Sequence, residues 1–283
     1  MLSIILFYKF TNIKDPEKIK KKHFDFFKNL NLKGKILLAK EGINGSLSGE
    51  KEQIDKYKSW LSSQHLFKGI EFKEELGIEH PFKKMVVKIK KEIIRLDQSI
   101  DVNKTGKHVS PKEFLEASKN NKVVILDTRN DYESNAGKFK GAIIPPIKSF
   151  REFPDFVNNL GIPKQTPIVM YCTGGIRCEK ASAYMIKQGF TNVSQLHGGI
   201  INFCQELPNT LWEGECFVFD DRITSSIGQS ENKINKCIHC KKLCDIYRNC
   251  KNKKCNKLIF ICQSCKQDFH ECCSNECVKQ LLR

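Results

Sequence analysis

The chain lacks any run of about 20 apolar residues, the length that a membrane-spanning helix requires. Its opening stretch, Met1–Phe7, is apolar but has no basic leader, long apolar region or small-residue cleavage site, so we expect no secretory signal. These absences predict a cytoplasmic protein with no membrane partner. In that compartment, the 14 cysteines indicate metal or redox chemistry and not a disulfide framework.

Acidic residues are also scarce, with 32 Asp and Glu against 48 Lys and Arg and a net charge of +16. The excess is uneven: residues 1–107 carry +9, residues 108–214 carry +2, and residues 215–283 carry +5. A nearly neutral middle between basic flanks is typical of a catalytic core held against a polyanion. The alternative is a lysine-rich genome that coats every surface with positive charge.

The stretch Pro167–Ser182, PIVMYCTGGIRCEKAS, combines a strand, a tight loop and a helix start. The apolar run Ile168–Tyr171 predicts a strand that leads into Cys172, and a helical pattern covers Cys178–Lys187. The amide N–H groups of such a turn and of a helix N-terminus favour negative charge, which lowers the pKa of a thiol placed there. Cys172 is therefore the candidate nucleophile, and Arg177 supplies a fixed positive charge. A buried structural cysteine is the alternative.

Four residues separate this cysteine from the arginine, namely Thr173, Gly174, Gly175 and Ile176. The spacing resembles that of rhodaneses, sulfurtransferases that carry sulfur as a cysteine persulfide. Protein phosphatases have one more residue in a similar loop. A shorter loop encloses a smaller ring of N–H donors, which suits a persulfide or a single anionic atom better than a phosphoryl group. We expect these four residues to contact the substrate.

The first hundred residues predict a ferredoxin-like domain with the order βαββαβ. Asp15 is the expected N-cap of the first helix, with Pro16 at its first position. We predict strands at Ser3–Phe10, Lys35–Lys40, Ile70–Glu75 and Met85–Ile94, and a second helix at Glu50–Ser62.

The segment Ala39–Gly49, AKEGINGSLSG, contains Asn44-Gly45 between apolar residues, which is a strong hairpin signal. We interpret it as a hairpin turn, and alternatively as an RNA backbone contact made by Glu41 and Asn44. The lysine-rich face around Lys83 and Lys84 is a solvated surface that would also suit tRNA phosphates.

The middle of the chain alternates strand and helix patterns and predicts a parallel α/β sheet. Strands are expected at Val123–Leu126, Ala142–Ile144, Ile168–Tyr171 and Val193–Leu196, and helices at Pro111–Ser118, Tyr132–Gly137 and Phe150–Leu160. Such a sheet binds its ligand beyond the carboxyl ends of its strands, where Asp127, Arg129 and Cys172 all fall. Asp127 and Arg129 are therefore candidate catalytic residues, with a structural ion pair as the alternative.

Ten of the 14 cysteines lie between Cys237 and Cys277, and their pairing in short spacings is typical of zinc ligands. We predict two structural zinc ions and leave Cys244 and one of the adjacent pair Cys272 and Cys273 unassigned, with Cys273 the one included among the expected ligands. An iron–sulfur cluster is the alternative. The eight expected ligands are Cys237, Cys240, Cys250, Cys255, Cys262, Cys265, Cys273 and Cys277.

Several motifs occur together along the chain: EGING at Glu41–Gly45, HPFKK at His80–Lys84, DTRNDYE at Asp127–Glu133, SFREFP at Ser149–Pro154, CTGGIRCEKAS at Cys172–Ser182, LHGGI at Leu196–Ile200 and FVFDDRI at Phe217–Ile223. Jointly they resemble the bacterial rhodanese-domain tRNA uridine hydroxylases. The resemblance implies oxygen-dependent 5-hydroxylation of the wobble uridine in tRNA anticodon loops, with Cys172 as the active-site cysteine. Phe203 and Lys138-Phe139 depart from general rhodaneses at positions of the substrate pocket.

The expected architecture is a ferredoxin-like domain over residues 1–104, a rhodanese domain over 105–222, a linker over 223–236 and a cysteine-rich zinc module over 237–283. No iron-binding triad or flavin fingerprint is evident, so the sequence identifies neither an electron donor nor an oxygen-activating cofactor. A thiolate at Cys172 that adds to C6 of uracil would instead activate C5. A persulfide-forming sulfurtransferase and a non-catalytic RNA- or anion-binding module remain alternative functions. The sequence does not give the oligomeric state.

Overall fold

The computed structural model describes residues 1–28, 30–225, 227 and 235–282. Most of the linker expected over 223–236 lies outside these ranges, and the predicted domain boundaries stay predictions. The α/β and α+β architecture is confirmed, with a ferredoxin-like sheet, a parallel rhodanese-like sheet and a cysteine-rich tail. Within the described ranges, no helix combines the length and apolar character needed to cross a bilayer.

The N-terminal sheet has the strand order β4-β1-β3-β2-β5, in which β5 runs parallel to β2 and the other neighbours are antiparallel. Its strands are β1 (Leu2–Phe10), β2 (Lys33–Ala39), β3 (Gly42–Glu50), β4 (Glu71–Gly77) and β5 (Met85–Ile89), and its helices are α1 (Pro16–Phe27) and α2 (Lys51–Ser63). Asp15 caps α1 as predicted, since its side chain accepts a hydrogen bond from the N–H of Lys18.

Alternation along β1 gives this sheet two different faces. Ile5 and Phe7 are fully buried in the core beneath the helices. Ile4, Leu6 and Tyr8 point to the other face, which lines a cavity. The helix-free face of the sheet is therefore turned towards the rest of the protein.

The hairpin predicted at Asn44-Gly45 is wrong. Both residues lie inside β3, which pairs with β1 on one side and with β2 on the other. The chain turns four residues earlier than the motif suggests: Ala39 pairs with Gly42, so Lys40 and Glu41 form the turn. Glycine is required at position 45 by packing, because a Cβ there would lie 2.4 Å from the Phe7 ring.

The second sheet is parallel and has the order β6-β10-β9-β7, with apolar clusters on both faces. Its strands are β6 (Lys107–Val109), β7 (Val124–Asp127), β9 (Ile168–Tyr171) and β10 (Val193–Leu196), while β8 (Gly137–Phe139) pairs with β11 (Trp212–Gly214). The helices are α3 (Pro111–Ser118), α4 (Asp131–Ala136), α5 (Phe153–Asn158), α6 (Ile176–Lys187) and α7 (Gly199–Glu206).

Two predictions for this region need correction. The strand expected at Ala142–Ile144 is reduced to a single bridge between Leu126 and Ile143. The helix expected over Phe150–Leu160 begins as one 3-10 turn, Phe150–Glu152, because Pro154 follows so closely. The strands at Ile168–Tyr171 and Val193–Leu196 have the predicted bounds.

The chain after the second sheet forms a short hairpin and then the tail. The hairpin strands are β12 (Cys216–Phe217) and β13 (Thr224–Ser225), and the tail contains β14 (Tyr247–Asn249), β15 (Leu258–Phe260), α8 (Gln263–Asp268) and α9 (Asn275–Leu282). The hairpin is anchored on the N-terminal domain, since Ser225 donates to Glu75 and the N–H of Asp221 donates to Pro81.

A buried lysine joins the two large domains. Lys180 lies on α6 with a side chain only 2% exposed, and its Nζ is 2.9 Å from Glu41 and 2.5 Å from Glu92. Breaking such a pair leaves an uncompensated buried charge, which costs about 3–5 kcal/mol. These ion pairs hold α6, the helix that follows Cys172, against the first domain.

Candidate active site

The cysteine loop, Cys172–Arg177, is held by hydrogen bonds from one of its own amides and from the start of α7. Strand β9 ends at Tyr171, and the N–H of Gly175 donates to the sulfur of Cys172 over 3.1 Å. The carbonyl of Cys172 accepts from the N–H of Ile200 at 2.9 Å, at the start of α7. Gly199 makes this contact possible with a φ of 69°, since a Cβ there would lie 2.4 Å from the Cys172 carbonyl oxygen.

Opposing effects set the ionisation of Cys172. Burial alone would raise the pKa of this thiol. A hydrogen bond from Cys178, the charge of Arg177 and the N–H groups of Arg177 and Gly175 outweigh burial and lower the pKa of Cys172 to about 5. Burial and the neighbouring sulfur raise the pKa of Cys178, so Cys178 remains a thiol and donates the hydrogen bond.

Arg177 is held in place by an acidic residue that sequence reasoning missed. Its Nη1 and Nη2 lie 2.6 and 2.7 Å from the two carboxylate oxygens of Glu133, which is fully buried. Glu133 also accepts from the N–H of Asn130 at the start of α4. This bidentate pairing fixes the guanidinium beside the loop and orients its planar face.

Asp127 and Arg129 form a separate buried pair beneath the strand ends. Arg129 Nη2 lies 2.7 Å from Asp127 and 2.7 Å from the carbonyl of Gly137, and both side chains are fully buried. Ser134 donates to the same carboxylate at 2.8 Å. Neither member lines the cavity described next, so the geometry is that of the structural ion pair considered as the alternative.

A cavity of about 760 Å³ lies between the open face of the N-terminal sheet and the cysteine loop. This volume is within the range of small-molecule sites. Several parts of the chain contribute to its walls. They include Leu6, Tyr8, Asn44, Lys73, Lys90 and Lys91 from the first domain, Cys172, Thr173, Gly174, Ile176 and Arg177 from the loop, and Val218, Phe219 and Arg222 from the hairpin.

The sulfur borders this cavity but has no exposed surface of its own, because Cys172 is 0% exposed. Strand β1 lies over the loop. A Cβ on Gly174 would be 2.5 Å from a methyl group of Leu6, and one on Gly175 would be 2.9 Å from the hydroxyl of Tyr8. Side chains of β1 thus cover the loop that carries the cysteine.

The hydroxyl of Tyr8 is fixed by a hydrogen-bond network that spans both domains and that no local motif predicts. Tyr8 donates to Glu179 at 3.0 Å, and Glu179 also contacts His108 at 3.0 Å and accepts from Gln195 at 2.9 Å. Burial would raise the pKa of Glu179, but the bonds from His108 and Gln195 lower it. An ionised Glu179 therefore orients Tyr8 over the loop.

The predicted RNA-binding residues fall in three different settings. Asn44 lines the cavity and donates to the carbonyl of Ile93 at 3.0 Å. Glu41 accepts from the N–H of Ile93 at 2.7 Å and pairs with Lys180, so it links the domains. Lys83 and Lys84 are exposed and lie outside the cavity walls.

The eight predicted metal ligands come together as two groups of four. One is formed by Cys237, Cys240, Cys262 and Cys265, and the other by Cys250, Cys255, Cys273 and Cys277. In each group the sulfur atoms lie within 4.8 Å of one another, and three measured separations are 3.5–3.6 Å. A tetrahedral zinc site with Zn–S bonds of about 2.3 Å has sulfur–sulfur edges of about 3.8 Å, so both groups fit this ion.

Comparison with known proteins identifies each part of the chain. A UPF0176 acylphosphatase like domain matches residues 2–93, a rhodanese-like domain matches 110–206, and a rhodanase C-terminal region matches 213–278.

Two relatives span nearly all of the chain. The tRNA uridine(34) hydroxylase of Protochlamydia amoebophila (strain UWE25) is 43% identical over 279 residues, covering 97% of this chain and 87% of the relative. That of Bacillus mycoides (strain KBAB4) is 44% identical over 281 residues, covering 97% and 88%. The resemblance drawn from the motifs is confirmed, and this chain belongs to the family of tRNA uridine(34) hydroxylases.

Proposed function

We propose that this protein hydroxylates C5 of the wobble uridine, position 34, in tRNA anticodons in an oxygen-dependent reaction, with Cys172 as the group that attacks the base. The observation that carries the proposal is a cysteine at the edge of a cavity of about 760 Å³, with the Gly175 N–H donating to its sulfur and the Arg177 charge lining the same cavity. Relatives that share 43–44% of their residues bear the name of this activity.

The cavity suits a single nucleotide taken out of an anticodon loop. The wobble base is in a single-stranded region, so it can be splayed into a pocket at little unstacking cost. Lys35, Lys90 and Lys91 line the same cavity and offer positive charge for the RNA backbone. The exposed Lys83 and Lys84 extend that charge beyond the walls, and Asn44 offers an amide inside them.

The chemistry begins with addition of sulfur to the ring. The thiolate of Cys172 forms a bond to C6 of uracil, and the electron pair of the C5–C6 double bond moves onto the C4 carbonyl oxygen. The adduct is an enolate in which C5 is electron-rich. Thr173, Gly174, Gly175 and Ile176 surround the sulfur, while Asp127 and Arg129 act as positioning residues that fix the adjacent strand end.

Two structural zinc ions in the cysteine-rich tail complete the proposal. The eight thiolates would close both sites with four protein ligands each, which leaves no open position for catalysis. The ions would supply stability to a segment with few other core residues. Because tRNA is the substrate, we place the protein in the cytoplasm.

Analysis of tRNA nucleosides tests the function. In cells without this protein we expect loss of 5-hydroxyuridine derivatives, recovery with the wild-type chain and no recovery with Cys172→Ser. Cys204→Ser is the matched control, since Cys204 is another buried thiol that lies outside the cavity. Loss of thiolated nucleosides instead would support a sulfurtransferase. Full recovery with Cys172→Ser would support the non-catalytic binding module.

An exposed aromatic residue gives a second test, on RNA binding. Phe219 is 64% exposed, lines the cavity and has the guanidinium of Arg177 over its ring at 5.7 Å. Stacking of a base on an aromatic side chain is worth about 1–3 kcal/mol. We expect Phe219→Ala to weaken binding of an anticodon stem-loop about 5- to 150-fold by titration, and Phe219→Trp to retain it. Equal affinities for all three proteins would remove Phe219 from the binding site.

A further inference from the structure

Lys73 of the first domain lies directly on the cysteine loop. It sits on β4, where it pairs with Leu6 of β1, and it lines the cavity together with Cys172. Its Cδ is 3.9 Å from the position that a Cβ on Gly174 would occupy. Its ammonium group lies 5.1 Å from the centre of the Tyr8 ring. The hydrogen bond from Tyr8 to Glu179 therefore also fixes the aromatic ring on which the ammonium group of Lys73 rests.

The charge of Lys73 has no acidic partner in the described part of the chain. Two arginines of the cavity wall are neutralised, Arg177 by Glu133 and Arg222 by Asp220 and Glu75. Lys35, Lys90 and Lys91 of the same wall have no ion pair among the described residues either, so the position of Lys73, and not its free charge alone, distinguishes it. Within the described residues, the Nζ of Lys73 makes no hydrogen bond or ion pair, and its recorded partner is the Tyr8 ring. Burial lowers the pKa of Lys73, whereas Glu71, Cys172 and Glu179 raise it. A cation without an ion pair that lines the same cavity as the sulfur is available to an anion formed there.

We propose that Lys73 is a catalytic residue that forms an oxyanion subsite facing Cys172. The inference rests on the proposed function, because the anion is the oxygen that becomes negative when sulfur adds to uracil. In that step the Sγ–C6 bond forms and the ring π bond breaks. Its electron pair ends on the C4 carbonyl oxygen, where the ammonium group donates a hydrogen bond. No electron or proton is exchanged with an outside reactant.

The position of Lys73 in the sheet separates it from the RNA-backbone lysines. Strand β4 is at one edge of the sheet, whereas Lys35 lies on β2 and Lys90 follows β5 at the other edge. The stem of Lys73 also approaches the loop, with its Cδ 3.9 Å from where a Cβ on Gly174 would lie. We expect a lysine that contacts RNA phosphates to lie with Lys35 and Lys90. We expect a lysine that binds an oxyanion of the reacting base to lie near the sulfur, as Lys73 does.

Kinetics with tRNA distinguish these roles. We expect Lys73→Met to lower the single-turnover hydroxylation rate at saturating tRNA about 100- to 1,000-fold, as removal of an oxyanion-hole donor does, with tRNA affinity changed less than about twofold. Lys73→Arg should recover part of the rate. Lys56→Met is the charge-matched control, since Lys56 lies exposed on α2 across the sheet. An unchanged saturated rate with weaker tRNA binding would make Lys73 a phosphate contact and overturn the proposal.

A second measurement is independent of tRNA. Iodoacetate is an anion and iodoacetamide is neutral, so the ratio of their reaction rates with Cys172 reports an anion-binding cation at the sulfur. We expect Lys73→Met to lower this ratio at least threefold and Lys56→Met to leave it unchanged. An equal ratio in wild type and Lys73→Met would overturn the subsite. If the wild-type chain fails to hydroxylate tRNA but the ratio falls as expected, the proposed function fails and the anion subsite stands.

Discussion

Cys172 combines two properties that normally exclude each other, complete burial and a depressed pKa. Burial favours the neutral thiol because a charged sulfur loses its hydration. Here the surroundings replace that hydration with fixed donors: the Gly175 amide, the Cys178 thiol and the Arg177 charge. The arrangement therefore favours an ionised sulfur in the folded chain, the state that the proposed attack on the base requires.

The pH dependence of alkylation follows from that pKa. With a pKa of about 5, Cys172 is almost entirely thiolate at pH 7, so its rate with iodoacetamide should be flat from pH 6.5 to 8.5. Below about pH 5 the rate should fall tenfold for each pH unit. Peptide mass spectrometry after timed quenching measures the alkylation rate of Cys172 at each pH.

The same peptide in urea provides the reference for this profile, since a free thiol titrates near pH 8.5. Cys178→Ala should shift the folded-state profile to higher pH, because it removes a hydrogen-bond donor to the sulfur. A wild-type rate that keeps rising between pH 7 and 9 would contradict an ionised sulfur.

Residue identity alone was enough to find the loop but not its partners. Cys172, Arg177 and the two glycines between them lie within one short stretch, and the eight metal-ligand candidates carry their own spacing. Glu133 and Tyr8 carry no such local signal, because they reach the loop only in the folded chain. Tyr8, for example, bonds to Glu179, which is 171 positions away in the sequence. A local pattern cannot report a contact that tertiary packing creates.

At the level of elements, strands that end in a buried sheet were easier to predict than turns. The apolar runs at Ile168–Tyr171 and Val193–Leu196 have one stable solution, a strand covered on both faces. Asn44-Gly45 has the composition of a hairpin turn but serves a central strand. There Gly45 makes room for the Phe7 ring. Turn chemistry and close packing both call for glycine, so the sequence could not separate them.

The junction between the cysteine loop and α7 gives a prediction at this scale. Gly199 and Gly189 both have a positive φ, 69° and 88°, but only Gly199 has backbone atoms where a Cβ would be. Gly189→Ala should cost about 1 kcal/mol of unfolding free energy from backbone strain alone. Gly199→Ala should cost at least about 2 kcal/mol more, because the Cys172 carbonyl must shift. Urea denaturation measures both.

A functional readout accompanies these two variants. The displaced carbonyl in Gly199→Ala should also disturb the amides around the sulfur and raise the pH at which Cys172 becomes reactive. Gly189→Ala should leave that pH unchanged, as its surroundings are open. Equal effects of both substitutions would mean that α7 does not hold the loop.

For the whole molecule, the tail is attached to the core through a few specific contacts. Tyr247 donates to the carbonyl of Tyr132 at 3.0 Å, and its ring packs near Phe217. Cysteine makes up much of the buried part of this module, which leaves little apolar area to stabilise it. Its folding should therefore depend on bound metal.

Adjacent cysteines provide the test for metal content. Cys273 belongs to the second group of four, whereas Cys272 does not, although it is fully buried. Elemental analysis should find two zinc ions per wild-type chain, one in Cys273→Ser and two in Cys272→Ser. Chelation of the wild-type protein should expose the tail to proteolysis. Iron in place of zinc would support the iron–sulfur alternative, and equal loss in both variants would reject this ligand set.

The position of β1 over the cysteine loop affects how readily the thiolate is oxidised when no substrate is bound. A thiolate open to water would be oxidised by peroxide or captured by metals. Because Leu6 and Tyr8 lie on the loop, their side chains restrict the access of small oxidants to the sulfur of Cys172. The side chains of β1 thus slow oxidation of the sulfur by restricting access to it, without removing the charge that makes the sulfur reactive.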